Sequence, residues 1–336
     1  MSGITARIDQ LRPMIGNTPM VGIRYRFEEE ERIIYAKCEY YNLTGSIKDR
    51  MVIQVLSEAY RKGKLKPGYT IVEATSGNAG ISLASIGRCL GHKVIIVMPD
   101  WATRERVGLL RSLGAEVVLT TRADGGFPAC VRKAEALEAS LSNVYYPRQF
   151  ENEDNAQGHF LTSGPEIQRQ MQQAGKTPDA FVAAIGTGGT LMGNGKYLRT
   201  CYPGIQVHPV ESLQSRVVST GVSHGIHRVP GISDDWNPPL VDLKTLDHPF
   251  TVSDGDGIIM TQLLGKKLGL SVGISSGFNF LGAVAFQNKY GGQKTAVTVF
   301  SDCSKKYLSG TLLHDEPQLP EYLANHIELI DYFAVR

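Results

Sequence analysis

A lysine near the start of a predicted helix is the residue with the clearest chemical potential in this chain. In the segment YNLTGSIKDR, Thr44 and Gly45 are typical of a turn, and Ser46 is a residue that commonly caps a helix. Apolar residues then recur with helical spacing as far as Leu56, so one face of the helix is apolar. Lys48 therefore falls in the first helical turn, among neighbours that are expected to be buried.

This position would favour the neutral form of the Lys48 amine. A lysine held near the positive end of a helix, in apolar surroundings, has a lowered pKa. A Schiff-base lysine requires this property, because only a neutral amine adds to an aldehyde. Taken alone, a lysine near a helix start is more often a solvated surface residue, so its role depends on the other motifs.

Two glycine-rich segments each stand between a predicted strand and a predicted helix. In the first, backbone amides and polar side chains form a pocket for a small anion such as a carboxylate. In the second, glycines let the backbone wrap closely around a phosphate, and threonines add hydroxyl donors. An ordinary βα turn would also explain either segment. The two sequences are Thr75-Ser76-Gly77-Asn78-Ala79-Gly80 and Gly186-Thr187-Gly188-Gly189-Thr190.

The second segment does not match the common nucleotide-binding motifs. It lacks the lysine of GxxxxGK[ST], and Leu191 stands where GxGxxG requires a glycine. A phosphate monoester is the better match. At a third strand-to-helix junction, Ser275 can hydrogen-bond a ring nitrogen, although serines at helix starts are mostly caps. Lysine, anion pocket, phosphate cradle and serine together indicate a site for pyridoxal 5'-phosphate (PLP).

With these motifs in place, the chain resembles the cysteine synthase (O-acetylserine sulfhydrylase) and cystathionine β-synthase family of PLP enzymes, the tryptophan synthase β-like fold type II. The resemblance runs from Ile15-Gly16-Asn17-Thr18-Pro19 to Lys306-Tyr307-Leu308-Ser309. It implies that Lys48 forms the aldimine with PLP and that Asn78 lies beside the cofactor's 3-oxygen. It assigns the phosphate to Gly186, Thr187, Gly188, Gly189 and Thr190, the pyridine nitrogen to Ser275, and the substrate carboxylate to Thr75, Ser76, Gly77, Asn78, Ala79 and Gln149. We call residues 75–79 the carboxylate loop and residues 186–190 the phosphate loop.

The reaction that this resemblance implies is β-replacement or β-elimination on a small amino acid. A neutral serine leaves the pyridine nitrogen largely unprotonated, so the ring is a moderate electron sink, which suits early loss of a β-substituent. Lys48 is the natural base for the α-proton. The product is an aminoacrylate that accepts a nucleophile, as in the synthesis of cysteine from O-acetylserine and sulfide.

Two departures from the family pattern open an alternative. Ala79 stands where cysteine synthases usually have threonine, and Pro230-Gly231-Ile232-Ser233-Asp234-Asp235-Trp236 replaces a small, glycine-rich loop. Asp234 or Asp235 could act as a catalytic base, although both could equally face solvent or cap a turn. A carboxylate there would repel hydrosulfide and activate water or another nucleophile. The enzyme would then consume cysteine and release hydrogen sulfide.

A third hypothesis is a non-catalytic, partner-binding homologue. The presence of Lys48 argues against it, because an inactive homologue commonly loses its Schiff-base residue. The sequence-based expectation is therefore a PLP-dependent transferase or lyase of cysteine metabolism and amino-acid biosynthesis.

Length and composition limit the classes of protein to which the chain can belong. The chain has 336 residues, 42% hydrophobic and 20% charged, with a net charge of +2. No long run of one charge appears, so we expect neither nucleic acid nor an acidic membrane surface as the main partner. There is no apolar stretch long enough for a signal peptide or a membrane span. Five scattered cysteines without a CxxC pair predict a reduced, cytoplasmic protein without a structural metal.

The remaining expectation concerns architecture. Strand and helix patterns alternate from residue 69 to 145 and again from 162 to 300, which predicts an α/β protein with mostly parallel sheets flanked by helices in two lobes. We expect a larger cofactor domain at 1–40 plus 152–336, and a smaller, mobile substrate-carboxylate domain at 41–151. A homodimer is implied by the family resemblance alone.

Overall fold

The chain folds into two separate β-sheets surrounded by helices. The structure is a computed structural model and describes residues 3–223, 225–232 and 236–335. The strands in these ranges are β1 (Met20–Phe27), β2 (Glu30–Cys38), β3 (Thr70–Ala74), β4 (Lys93–Pro99), β5 (Glu116–Thr120), β6 (Val144–Tyr145), β7 (Ala180–Ala184), β8 (Gln206–Ser212), β9 (Phe250–Val252), β10 (Ala296–Phe300) and β11 (Ile327–Val335). The α-helices are α1 (Gly3–Leu11), α2 (Lys48–Arg61), α3 (Asn78–Cys89), α4 (Arg104–Ser112), α5 (Gly126–Ser140), α6 (Glu153–Leu161), α7 (Ser163–Gln173), α8 (Gly189–Cys201), α9 (Val217–Thr220), α10 (Asp254–Leu268) and α11 (Ile274–Tyr290).

Both sheets are built mainly from parallel strands. The larger sheet has the order β11-β1-β2-β10-β7-β8-β9, and the smaller has the order β5-β4-β3-β6. Strand β1 runs antiparallel to β2 and β11, whereas the other neighbouring pairs are parallel. Helices cover these strands, so strands such as β4 are almost continuously apolar and buried. The predicted α/β class is confirmed.

The helix that carries Lys48 begins one residue later than its sequence suggests. Ser46 was predicted to cap the helix, but Ile47 occupies the N-cap position and makes no side-chain cap bond. The Ser46 hydroxyl accepts a long hydrogen bond of 3.4 Å from the Lys48 amide. Ser46 instead forms an isolated β-bridge with Asp302, which ties the helix start to the segment after β10. That long-range pairing outweighs the local preference of serine for the cap.

Five of these elements were not predicted from sequence: α1, α6, α9, β9 and β11. Strand β11 lies at the edge of the larger sheet and alternates half-buried and exposed residues, so its apolar pattern is weak. Ile8 of α1 packs in the same apolar cluster as Val52 and Leu83, beside the smaller sheet. The division into domains at 1–40 plus 152–336 and 41–151, and the mobility of the smaller one, stay predictions. No helix within the described ranges is both long and apolar enough to span a bilayer.

A buried ion network fixes the first turn of α2. Arg50 is fully buried and donates to Glu39 at 2.6 Å and to Glu166 of α7 at 2.7 Å. Lys37 of β2 bonds to Glu166 at 2.7 Å, so two cations balance two carboxylates. Although burial opposes ionisation, Arg50 lowers the pKa of Glu166 to about 2. The network joins α2 to the larger sheet two residues beyond Lys48.

We expect Arg50→Met to destabilise the fold strongly. The substitution leaves the buried carboxylates of Glu39 and Glu166 without the guanidinium that balances them. Loss of one partner of a buried ion pair typically lowers the free energy of unfolding by about 3–5 kcal/mol. Urea denaturation measures the loss. Arg61→Met is the matched control, because Arg61 lies on the same helix with an exposed side chain and, among the described residues, forms its ion pair with the neighbouring Glu58. Equal, small effects of the two substitutions would contradict a positioning role for the network.

Candidate active site

Lys48 is the first residue of α2 and lines a cavity between the two sheets. The preceding Ile47 amide donates to the carbonyl of Ser301 at 2.9 Å, which holds the helix start against the end of β10. Burial lowers the pKa of the Lys48 amine; the negative charge of Asp302 partly opposes this, and the positive charge of Lys306 reinforces it. The amine therefore has the lowered proton affinity that nucleophilic addition requires.

The motifs singled out in the sequence converge on two adjoining cavities. Both cavities are lined by Lys48, Asn78, Gly186 and Thr187. The first, of about 530 Å³, is completed by the phosphate loop and Ser275. The second, of about 620 Å³, is completed by the carboxylate loop and Gln149. Lysine, phosphate loop and serine thus face one space, and the carboxylate loop opens beside it.

The phosphate loop has the form of an anion cradle. Helix α8 begins at Gly189, so the first amides of the helix have no partner within it. Gly188 has φ +87°, and a Cβ there would strike Val241. A Cβ at Gly186 would strike the carbonyl oxygen of Gly231. A side chain at either of these positions would therefore collide with the surrounding protein, so the loop can keep this shape only with glycine. Gly189 does not line the cavity.

Neutral groups surround the cradle. Thr187 Oγ1 accepts from Asn155 Nδ2 at 2.9 Å, and Thr190 Oγ1 lies 3.4 Å from His159 Nε2. Burial and the positive charge of Arg50 lower the pKa of His159 to about 3, so the imidazole is neutral. The helix end, and not histidine, therefore offers partial positive charge to a bound phosphate.

Ser275 is the only one of the two adjacent serines that faces the cavity. It is the second residue of α11 and lines the space opposite the phosphate loop, whereas Ser276 is fully buried away from it. A hydroxyl can donate to or accept from a ring nitrogen without adding charge. Ser275 therefore lies in the cavity where it could meet a ring nitrogen, and its role toward the pyridine nitrogen stays a prediction.

The carboxylate loop leads into the start of α3. Thr75 Oγ1 accepts from the Gly77 amide at 3.1 Å, and Ala79 is buried without a hydroxyl to offer. Gln149 reaches the loop from the far side and donates from Nε2 to the Ala74 carbonyl at 2.8 Å. The loop therefore offers helix-end amides and hydroxyls to an anion in the cavity beside Lys48.

Arg106, Phe127 and Phe150 line the second cavity and were not identified from sequence, whereas Trp236 belongs to the loop that departs from the family pattern. Arg106 is buried against Gly77, with its guanidinium 4.6 Å above the ring of Tyr307. An aromatic wall is formed by Phe127, Phe150 and Trp236. The ring centroid of Phe150 lies 5.7 Å from that of Phe127 and 5.2 Å from that of Trp236. These side chains come from separate elements and share no local motif, so no sequence signal groups them.

Asp234 and Asp235 lie outside the described residues. The residues that flank them can be placed: Ile232 and Trp236 both line the second cavity. The loop that departs from the family pattern therefore borders the second cavity on both sides of the acidic pair.

The residues present fit PLP. Lys48 could hold the aldehyde carbon, the phosphate loop the phosphate, Ser275 the ring nitrogen and Asn78 the 3-oxygen. A glycine cradle at one end of a cavity and a buried lysine at the other are the two features that this cofactor requires.

Comparison with known proteins defines the class. Residues 11–302 match the family model described as pyridoxal-phosphate dependent enzyme. The chain belongs to this family, and PLP is its cofactor. The sequence-based expectations of family, cofactor and enzymatic nature are confirmed.

Individual relatives show which enzymes the chain resembles in sequence and structure. The chain is 40% identical over 299 residues to the "Probable cysteine synthase" of Bacillus subtilis, covering 89% of this chain and 96% of the relative. It is 44% identical to the hydrogen sulfide-producing enzyme (Fn1055) of Fusobacterium nucleatum, with a TM-score of 0.94 and coverage of 98% and 100%. A second structure of that enzyme, an aspartate-to-asparagine mutant with an α-aminoacrylate intermediate, gives a TM-score of 0.95 at 44% identity and 97% coverage of each chain.

We expect Gly188→Asp to expel the cofactor. A side chain at Gly188 would strike Val241 and disturb the loop. Repulsion between the carboxylate and the phosphate adds on the order of 1–4 kcal/mol, so the affinity for PLP should fall by about fivefold or more. PLP released per chain in alkali measures the occupancy. Gly175→Asp is the control, because Gly175 also has a positive φ (+64°) and nothing within 4 Å of a Cβ. Full occupancy in Gly188→Asp would mean that the loop is only a turn.

Proposed function

We propose that this protein catalyses β-elimination and β-replacement on a small amino acid, and that cysteine is the substrate it consumes, with release of hydrogen sulfide. The observation that carries the reaction class is the placement of Lys48, the phosphate loop, Ser275 and the carboxylate loop around one space. The direction is supported by the 44% identity to a hydrogen sulfide-producing enzyme. Bound PLP supplies the electron sink that lets an α-proton and a β-substituent leave.

Lys48 has two roles in this proposal. Its neutral amine holds the cofactor before substrate arrives, and the same amine takes the α-proton once the substrate displaces it. The lowered pKa of Lys48, caused mainly by burial, keeps the amine available for both steps. Its position at the helix start places it between the phosphate loop and the carboxylate loop.

The carboxylate loop orients the substrate. Amides at the start of α3, the hydroxyls of Thr75 and Ser76, and the side chain of Gln149 bind the carboxylate of the amino acid. This fixes the α-carbon beside Lys48. The aromatic wall of Phe127, Phe150 and Trp236 closes the outer side and limits access of water.

Asp234 or Asp235 activates the second nucleophile. With water as that nucleophile, cysteine and water give serine and hydrogen sulfide: the C–S bond breaks, a C–O bond forms, and the proton that water loses is taken up by the carboxylate. The aspartate-to-asparagine mutant of the 44%-identical neighbour, described with an α-aminoacrylate intermediate, supports a role for an aspartate after that stage.

A second candidate is synthesis of cysteine from O-acetylserine and sulfide, favoured by the 40% identity to a protein named as a cysteine synthase. Parallel assays of sulfide release from cysteine, and of cysteine formation from O-acetylserine and sulfide, test the choice. We expect the larger kcat/KM for cysteine consumption. The opposite order would favour the synthase, and no product in either assay would favour a non-catalytic homologue.

We also propose that the protein is a homodimer that works in the cytoplasm. The dimer rests on the family resemblance. The compartment is supported by five free cysteines, as expected where thiols stay reduced: Cys38, Cys89, Cys130, Cys201 and Cys303. Sedimentation velocity tests the dimer, and a species with the mass of one chain would contradict it.

Lys48→Ala should abolish sulfide release while leaving PLP bound without a covalent link. The substitution removes both the attachment point and the base, so kcat should fall by several orders of magnitude. Lys305→Ala is the control, because Lys305 is exposed. Turnover at the wild-type rate in Lys48→Ala, without an added amine, would refute the assignment of Lys48.

Replacing the acidic residues should separate the two halves of the reaction. In Asp234→Asn or Asp235→Asn, removal of the α-proton and loss of sulfide should persist, while capture of the next nucleophile slows by about 10²–10⁴-fold. Stopped-flow absorbance with cysteine measures both phases. Asp242→Asn is the control, because Asp242 only caps a short turn in the same segment. Wild-type kinetics in both variants would mean that the two acids are surface groups.

A further inference from the structure

The side-chain amide of Asn78 is held between two buried charges of opposite sign. Asn78 Nδ2 donates to Asp302 Oδ2 at 2.7 Å. On its other side, Asn78 Oδ1 accepts from Lys306 Nζ at 2.8 Å. Asp302 is fully buried and Lys306 is 3% exposed. Neither charge was among the residues expected from sequence to form the site.

Both charges are fixed by further contacts. Asp302 Oδ2 also accepts from the hydroxyl of Tyr307 at 2.6 Å. Lys306 Nζ also donates to the carbonyl of Gly45 at 3.1 Å, in the turn before Lys48. The carbonyl of Lys306 accepts from Thr103 at 2.7 Å. The segment after β10 is therefore attached to the turn before α2 and to the residue before α4.

This arrangement permits one orientation of the amide. An amide has a donor end and an acceptor end. If the Asn78 side chain were rotated by half a turn, its NH₂ would face an ammonium group and its carbonyl would face a carboxylate. Buried polar groups without matching partners are costly, and the cost is larger when the neighbours are charged. Asp302 and Lys306 therefore fix the direction of the Asn78 amide: its NH₂ group faces Asp302 and its oxygen faces Lys306.

The remaining hydrogen-bonding capacity of Asn78 faces the cavity. Nδ2 carries two hydrogens, and Asp302 takes one of them. Asn78 lines both cavities beside Lys48. The group left to interact with an oxygen in the cavity is the second N–H, because the oxygen of the amide is directed towards Lys306.

We propose that Asp302 and Lys306 are positioning residues of the cofactor site, which orient Asn78 so that its free N–H is presented to the 3-oxygen of PLP. This rests on the proposed function and on the place beside the 3-oxygen that the family resemblance implies for Asn78. Asp302 and Lys306 lie after β10 of the larger sheet, and Asn78 lies after β3 of the smaller sheet. The orientation of the Asn78 amide therefore depends on contact between the segments that follow these two strands.

The first test replaces each charge in turn. In Lys306→Met and in Asp302→Leu, the dissociation constant of PLP should rise about tenfold, the effect of one misplaced hydrogen bond. The absorbance of bound PLP without substrate should shift from the long-wavelength band towards the near-ultraviolet. The reason is that the 3-oxygen of PLP loses the hydrogen bond from the Asn78 N–H and becomes protonated instead. Lys305→Met is the control and should match the wild type, since Lys305 is exposed. Lys306→Arg, which keeps the charge and the donor, should restore most of the wild-type spectrum.

The second test asks whether the effect passes through Asn78. In an Asn78→Ala background, Lys306→Met should change neither the spectrum nor the dissociation constant further. A merely structural role predicts equal effects of Lys306→Met with and without Asn78. Additive effects, or a wild-type spectrum in both Lys306→Met and Asp302→Leu, would overturn the proposal.

The controls also separate this proposal from the proposed function. A wild-type protein that holds PLP but does not process cysteine or O-acetylserine would refute the proposed reaction, while the spectral test of Asp302 and Lys306 still applies. An active wild-type enzyme with unchanged variants would refute only the positioning roles. If Lys306→Met does not fold, Asp302→Leu and Lys306→Arg give the decisive spectra.

Discussion

The buried guanidinium of Arg50 is the constraint on which the rest of the site depends. It lies two residues beyond Lys48 and bonds to Glu39, which directly follows β2, and to Glu166 of α7. A buried cation of this kind tolerates little displacement, because water cannot reach its carboxylate partners to replace the hydrogen bonds that would be lost. The first turn of α2 is therefore held in one place, and Lys48 with it. The lysine can then be partly desolvated without being free to move away from the cavity.

The parallel strands supply the remaining groups. The carboxylate loop follows β3, the phosphate loop follows β7, and Asp302 follows β10. Ligands of open α/β sheets bind at the carboxyl ends of the strands, where such loops meet. In this chain, the two sheets bring their loops to the same space, so the site is assembled from both. Helix ends point their amides at this space, which suits a cofactor with a phosphate and a substrate with a carboxylate.

The sequence predicted those parts of the site that are local in the chain. Glycine-rich junctions carry their own signal, because a strand, a tight turn and a helix start lie within a few residues. Arg106 and Phe127 carry none, since they reach the cavity only when distant elements pack. The pairing of Lys306 with Asn78 is likewise invisible in sequence, at a separation of 228 residues. Ser46 misled the prediction of the helix start, because its contact with Asp302 is also long-range.

The central claim is that Lys48 holds the cofactor, and a single chemical measurement tests it. Borohydride reduction of the purified enzyme, followed by proteolysis and mass spectrometry, identifies the lysine that carries the cofactor. The account predicts a phosphopyridoxyl group on the peptide that contains Lys48 and on no other. The buried amine of Lys306 provides an internal comparison, because it also lies next to Asn78. Modification of Lys306, or of no lysine at all, would contradict the account.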